Sequence, residues 1–454
     1  MRVIIAGAGI SGLSLAYALL ERQPDLDVMV LEAEARPGGK IWTEKVKGFI
    51  CEAGVNGFLD NKPSTLELAS KIKLPPIRSN DAARKRAIYF GGGLRMIPES
   101  PPAFFKSNFL SISGRLRMIG ELFVPKADVE DESMESFAVR RVGREFFEKL
   151  LDPMASGVYA GDPAKMSIRS CFAKVYELEK NYGGLIRGFM AVAKEAKKTG
   201  KKTEAGPGGT LMSFQDGMFS LVGSLRQVLG DRLQTAKTVR SVGRKGEVLE
   251  VHCADGARYE SDVVVLSTPA HDAAGIVRDL DRDLSSLLAE VPYPPVSVVA
   301  LGFRREKIPG DTNLFGFLVP GKERRKILGT LFDSSIYPNR APEGYVLLRA
   351  IVGGARAPEI ALLEEEKLVG VVLSELSEIL GIRSEPDLVW TYRWEKAIPQ
   401  YLVGHHERLR RIDEALSRHQ GLHLHSNAYR GVAVNDCIGN SFRLAETITP
   451  SRGI

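Results

Sequence analysis

Residues 3–12 read Val3-Ile4-Ile5-Ala6-Gly7-Ala8-Gly9-Ile10-Ser11-Gly12, and the fold turns on them. Val3 to Ala6 is a short unbroken apolar run of the kind buried in a parallel sheet. Helical spacing begins at once: Leu13, Ala16, Tyr17 and Leu20 share a face between Ser11 and Gln23, and Pro24 stops the helix. Between strand and helix lies G-x-G-x-x-G. Gly7 permits the tight turn, Gly9 lets the backbone approach a pyrophosphate, and Gly12 lets helix pack on strand. The helix start, at Ile10 and Ser11, offers free N–H groups and a partial positive charge to phosphates. Asp27 to Leu31 reads as a second strand closed by Glu32. A carboxylate there accepts ribose hydroxyls and repels a 2′-phosphate.

Downstream, Arg36-Pro37-Gly38-Gly39-Lys40 places two glycines between cations. Such a loop suits a second approach to the diphosphate. It resembles the stretch that FAD proteins of the glutathione-reductase and amine-oxidase type carry after their ribose acid. FAD is therefore expected rather than NAD.

The chain has 454 residues, enough for two or three domains, with 26% charged residues and a net charge of +6. The basic residues are scattered without interleaved aromatics, which argues against a nucleic-acid partner. Cys51, Cys171, Cys253 and Cys437 form no CxxC pair, so no disulfide framework or zinc site is expected. There is no basic n-region with a cleavage site, and no run of roughly 18 apolar residues. A cytoplasmic location is expected, with contact to a membrane face at most peripheral.

Further strands are expected at 262–266 and 422–425, each in an α/β setting. A hairpin is expected around Gly91-Gly92-Gly93 within 87–98, and another over 211–219 feeding a helix near Ser220. Helices are expected over 101–202 and a loop over 203–210. The segments 296–303, 314–319, 327–332 and 345–352 alternate like strands of one larger sheet. The expected class is α/β with α+β insertions. A discontinuous Rossmann-like domain (1–78, 216–290, 386–454) is expected, interrupted by a mixed-sheet insertion (79–100, 165–215, 291–385) and a helical segment (101–164).

Several longer stretches then become specific. Glu52-Ala53-Gly54-Val55-Asn56-Gly57-Phe58, Gly217-Met218-Phe219-Ser220-Leu221, Phe315-Gly316-Phe317-Leu318-Val319-Pro320 and Leu328-Gly329-Thr330-Leu331-Phe332 resemble the oxygen-dependent protoporphyrinogen and coproporphyrinogen oxidase family. So do Tyr337-Pro338, Arg340, and Trp394 through Ile398-Pro399-Gln400-Tyr401. The tail from Asn427 to Ile438 is the sharpest match. Matches run from residue 1 to about 450 and are least specific over 101–200.

The resemblance implies oxidation of a porphyrinogen by noncovalent FAD and dioxygen. It also implies a substrate domain for the mixed-sheet insertion and a membrane-associating role for the helical segment. By family position, Gly7, Gly9, Gly12, Glu32, Ala33, Gly39, Gly54, Asn56, Val239, Trp394, Val432, Ala433 and Val434 line FAD, with Gly38, Lys40, Val55 and Gly57 in the same loops. Leu318 and Leu331 grip the macrocycle. Ile351 stands where plant enzymes carry a phenylalanine, so stacking is weaker. Phe90 occupies the position of the plant anchoring arginine. Arg95 is the expected substitute for holding propionates, with Arg169 a more distant one. Asn56 orients substrate, since an amide is no strong base. The helix from about Asp436 points its positive end at the flavin.

Three features are set aside. His405-His406-Glu407 lacks a third ligand and reads as a solvated loop, so no metal is expected. Asp128 to Glu132 reads as an exposed acidic turn. The apolar stretch from Phe104 to Val124 favours core contact, with membrane docking as an added role. The rival readings are an amine or carotenoid oxidase, for which no aromatic cage is found, and a non-catalytic lipid binder. The residues leave monomer or homodimer open, and leave open which porphyrinogen is the substrate.

Overall fold

The computed structural model describes residues 1–98, 103–104, 107–199 and 209–449. Residues 203–208 of the expected loop lie outside the described residues, as do Pro101, Phe105 and Lys106 of the expected helical stretch.

The first strand, Arg2–Ala6, sits mid-sheet because it is apolar on both faces. It pairs in parallel with Asp27–Leu31 on one side and Val263–Leu266 on the other. Leu233–Gln234 and Leu422–Leu424 complete five parallel strands at the two edges. Val3, Ile5, Val28 and Val30 face a core closed by the helices Ile10–Arg22, Phe219–Leu229 and Val434–Ile448. Ile4, Ala6 and Leu31 face a second core beneath a three-stranded antiparallel layer and the helices Ala270–Val277 and Arg282–Ala289. This is the doubly covered sheet that continuous apolar strands require.

A seven-stranded mixed sheet stands beside it. Its order is Leu388–Trp394, Val296–Arg304, Tyr345–Gly353, Ile327–Phe332, Gly316–Leu318, Arg86–Phe90, Gly93–Met96. Leu388–Trp394 thus belongs to this sheet, although the sequence division at 386 assigns it to the nucleotide part. One face buries Val299, Leu301, Phe303, Phe317, Leu348 and Ala350 against the helix Glu365–Leu380. The expected hairpin over 211–219 is instead a lone strand, Leu211–Phe214, paired with Phe58–Leu59 and Pro76–Arg78. Local alternation was correct there; the partners are distant in sequence.

Residues 112–199 are helical, and no helix among the described residues is long and apolar enough to cross a membrane. Phe109 and Leu110 are buried as expected, but Ile112, Leu116 and Phe123 are 71%, 65% and 84% exposed. The expectation that this stretch mainly makes core contacts therefore fails for its second half. The acidic turn is also less open than expected, since Asp131 accepts from Ser167 Oγ (2.6 Å) and the Gly404 N–H (2.9 Å). Arg141 anchors the segment from a fully buried position. It donates to the carbonyls of Val124 (2.8 Å) and Gly183 (2.6 Å), with Nε 3.2 Å from buried Glu121. Glu121 in turn accepts from the N–H groups of Leu185 (2.7 Å) and Ile186 (3.1 Å) at the start of Leu185–Thr199. Removing one side of a buried ion pair costs about 3–5 kcal/mol. Arg141→Met should lower the melting temperature accordingly, and adding Glu121→Gln should recover part of the loss.

Candidate active site

Two glycine turns make the groove. At Gly7, φ is +103° and a Cβ would lie 2.9 Å from the Ser267 carbonyl oxygen; at Gly12 it would lie 2.0 Å from the Gly7 carbonyl oxygen. The Gly38 N–H donates to Ala8 O (2.8 Å), and a Cβ on Gly39 would stand 3.3 Å from Gly9 Cα. Gly9 meets nothing within 4 Å on its open side, which is the approach a diphosphate needs. Glu32 accepts from the N–H groups of Ala8 (2.7 Å) and Glu34 (2.9 Å), beside exposed Ala33. Val239 is buried in the same core cluster as Leu31.

The loop Glu52–Gly57 passes close by. Gly54 is accessible, and a Cβ on it would lie 2.9 Å from Lys40 O; Val55 packs on the nucleotide-side core, and a Cβ on Gly57 would meet Met212 O at 2.3 Å. Both amide atoms of Asn56 are buried without a partner among the described residues, as are Ser267 Oγ and Thr268 Oγ1 beyond Gly7. Buried polar atoms in native proteins are almost always satisfied. These orphans, with the bare glycine turns, fit a polar ligand of dinucleotide size. Lys40 turns aside: its Nζ lies 4.2 Å above the Trp394 ring and donates to Lys396 O (2.5 Å), and burial lowers its pKa to about 8.

Ala433, exposed and lacking a side-chain cap, opens the helix Val434–Ile448, two residues earlier than expected. Val434 is buried in the nucleotide-side core, and Val432 packs toward the helical segment. Ser441 Oγ holds this helix against the first, 2.7 Å from Ser14 Oγ and 2.7 Å from His425 Nε2, while donating to Ser11 O (3.0 Å). Burial drives His425 down to about 4, which keeps it neutral. His405 is not in a solvated loop. It begins the helix His405–Leu416, is fully buried, and stacks on Tyr401 with centroids 4.2 Å apart. His406 pairs with Arg169 at 2.8 Å, and Arg169 also meets Glu130 at 2.9 Å. Arg169 is thereby engaged in the helical segment.

A second wall follows from sheet register. Val298, Ile351, Gly329, Leu318, Ile88 and Arg95 lie opposite one another in one row across the sheet. Ala300, Arg349, Leu331, Gly316 and Arg86 form the next row. Leu318, Leu331 and Ile351 are half-buried, and the two glycines let the strands close up: a Cβ on Gly316 would lie 2.3 Å from Thr330 O, and one on Gly329 2.5 Å from Phe317 O. Arg95 shares this face but is exposed at its margin, 6.0 Å from the Phe90 ring. Sequence reading missed Arg86, whose guanidinium lies 4.8 Å over the Phe315 ring with no carboxylate partner among the described residues. Period-2 spacing from Ile88 was the signal that could have found it.

Between the sheets, buried Glu52 accepts from Thr43 Oγ1 (2.6 Å) and the Met218 N–H (2.8 Å), while Thr43 Oγ1 accepts from the Phe219 N–H (3.0 Å). Together they cap the helix Phe219–Leu229. Burial raises the Glu52 pKa to about 7 against these hydrogen bonds and Arg340. A carboxyl raised by folding adds stability below its ordinary value of 4.5, and that addition is lost as pH climbs to about 7. Glu52→Gln should therefore gain in melting temperature relative to wild type between about pH 5 and pH 8. A constant difference over that range would exclude Glu52 as the titrating group. Separately, Gly12→Ala should abolish flavin retention, read as loss of the yellow absorbance on purification.

The family model of flavin-containing amine oxidoreductases matches residues 10–449. Protoporphyrinogen oxidase 1 of Arabidopsis thaliana chloroplasts is 33% identical over 97% of this chain and 87% of its own length. Coproporphyrinogen III oxidase of Bacillus subtilis is 30% identical over 96% and 95%. A solved UDP-galactopyranose mutase superposes with a TM-score of 0.76 over 98% of this chain and 95% of its own, at 15% identity, and shares the fold. The chain is thus an FAD-dependent oxidoreductase and belongs to the flavin-containing amine oxidoreductase family.

Proposed function

We propose that the chain oxidises a porphyrinogen in haem biosynthesis, converting protoporphyrinogen IX to protoporphyrin IX with dioxygen as the final acceptor. One observation carries the reading: the apolar face of Leu318, Leu331 and Ile351 adjoins, through Arg349, the loop bearing the Asn56 amide, which has no partner among the described residues. A broad tetrapyrrole needs such a wall, and a carboxylate-bearing edge needs the cations at its margin. The relatives named for porphyrinogen oxidation support the assignment.

Six electrons and six protons leave the substrate, and three dioxygen molecules become three of hydrogen peroxide. Bound FAD supplies two-electron acceptance from a methylene bridge. Gly7, Gly9, Gly12, Gly38 and Gly39 would hold its diphosphate, Glu32 its ribose, and the uncapped start of Val434–Ile448 would face the flavin with its positive end. Asn56 is neither acid nor base at neutral pH, so it orients the substrate. The leucines and Ile351 exclude water from the reacting face. Arg86 and Arg95 anchor carboxylates.

Two arginines on this face, Arg86 and Arg95, without a carboxylate partner among the described residues, suit a substrate with two propionates. The Bacillus relative keeps coproporphyrinogen III, with four, as the second reading. Anaerobic addition of each porphyrinogen should bleach the yellow protein, and admitting dioxygen should restore the colour and release porphyrin fluorescence, faster with protoporphyrinogen. If neither bleaches it, the reading is wrong. Arg86→Ala should raise KM roughly tenfold with kcat little changed. The exposed Ile112, Leu116 and Phe123 face would rest on the inner face of a membrane from the cytoplasm. Phe123→Glu should then reduce co-sedimentation with anionic vesicles while leaving turnover intact.

A further inference from the structure

Three successive carbonyls follow the strand Phe49–Glu52, and each is taken by the seven-stranded sheet. Arg349 Nη1 donates to Glu52 O (3.2 Å) and to Gly54 O (3.1 Å), and Trp394 Nε1 donates to Ala53 O between them (2.9 Å). Arg349 is fully buried, and its other edge grips buried Asp333 through Nε (2.7 Å) and Nη2 (3.2 Å). A guanidinium alone has the planar fork for this double task; an ammonium cannot span both sides.

Register places this latch inside the slot wall. Arg349 lies opposite Leu331 and two residues from Ile351 on the same face. Asn56 comes two residues after the latched Gly54 carbonyl. We propose that Arg349, backed by Asp333, is a positioning residue: it fixes the spacing between the flavin-side loop carrying Asn56 and the wall formed by Leu331 and Ile351. It touches neither ligand. Its effect is to hold the substrate's methylene carbon at one distance from the cofactor plane, and misplacements of about 1 Å cost rates heavily.

The assignment rests on the porphyrinogen reading for its assay, and the test separates the two. Wild type, Arg349→Lys and the charge-neutral double variant Arg349→Met with Asp333→Asn are purified with FAD. Flavin content, melting temperature, anaerobic flavin reduction by protoporphyrinogen and reoxidation by dioxygen are measured per bound flavin. Wild-type flavin that stays yellow with either porphyrinogen sinks the function, not the latch. Given a wild type that bleaches, the variants should keep their flavin and reoxidise at the wild-type rate. Their reduction at saturating substrate should slow roughly tenfold or more, with KM moved less than about threefold. Reduction within about twofold of wild type in both variants overturns the proposal. So does loss of flavin from both, which would make the pair mere scaffold.

Discussion

The first helix leaves its strand at a point where no Cβ can exist. A methyl on Gly12 would overlap the Gly7 carbonyl oxygen at 2.0 Å, so strand, turn and helix can close up only with glycine there. That closeness carries the helix start to the carboxyl ends of the strands, where its unpaired N–H groups meet phosphate. It also leaves Ala8 O free to receive the Gly38 N–H, which docks the second glycine turn on the first. The path from Lys40 into the Thr43–Glu52 hairpin, and so to the loop holding Asn56, starts from that contact.

The two sheets are then joined by buried charge where apolar packing would ordinarily serve. Glu52, Asp333, Arg340 and Arg349 are all inaccessible to solvent. Arg340 donates to Ser213 Oγ (2.8 Å) and Phe214 O (3.1 Å), and approaches Glu52 at 3.9 Å. Desolvating four ions is costly, and well-packed apolar groups would often be as stable. What charge adds is direction: a guanidinium satisfied by two carbonyls and a carboxylate tolerates one geometry. Where the glycine-turn groove meets the wall of Leu331 and Ile351, such a contact fixes a distance as well as adding stability.

Much of this was legible in the residues. The apolar strands, the G-x-G-x-x-G turn and Glu32 each announce themselves locally, and the strand Asp27–Leu31 matches its expected bounds. Leu318, Leu331 and Ile351 were singled out by resemblance alone, since nothing in Leu318 or Ile351 by itself separates slot from core. Arg349 and Glu52 were illegible for a different reason: besides nearby Asp333 and Thr43, their partners lie far away along the chain, at Gly54 and Met218, and a buried arginine looks like a surface one in sequence. The Leu211–Phe214 strand was misjudged because its partners come from residues 58–59 and 76–78. His405 was misjudged because a polar pair beside Glu407 reads as solvated, whereas stacking on Tyr401 pulls one of the two inside.

The five-stranded sheet gathers residues near 3, 29, 233, 264 and 423, and the hydroxyl of Ser14 on the first helix waits for Ser441 on the last. Synthesis proceeds at about 5–20 residues per second, so a nascent first strand stands without its far-side neighbours for roughly tens of seconds. Throughout that time its apolar edges are exposed to other chains. Flavin capture must await synthesis of the last strand and helix, and bound flavin would then draw the population toward the closed form by mass action. Cells short of riboflavin would accordingly be expected to accumulate this chain as aggregate before they accumulate it as apoprotein.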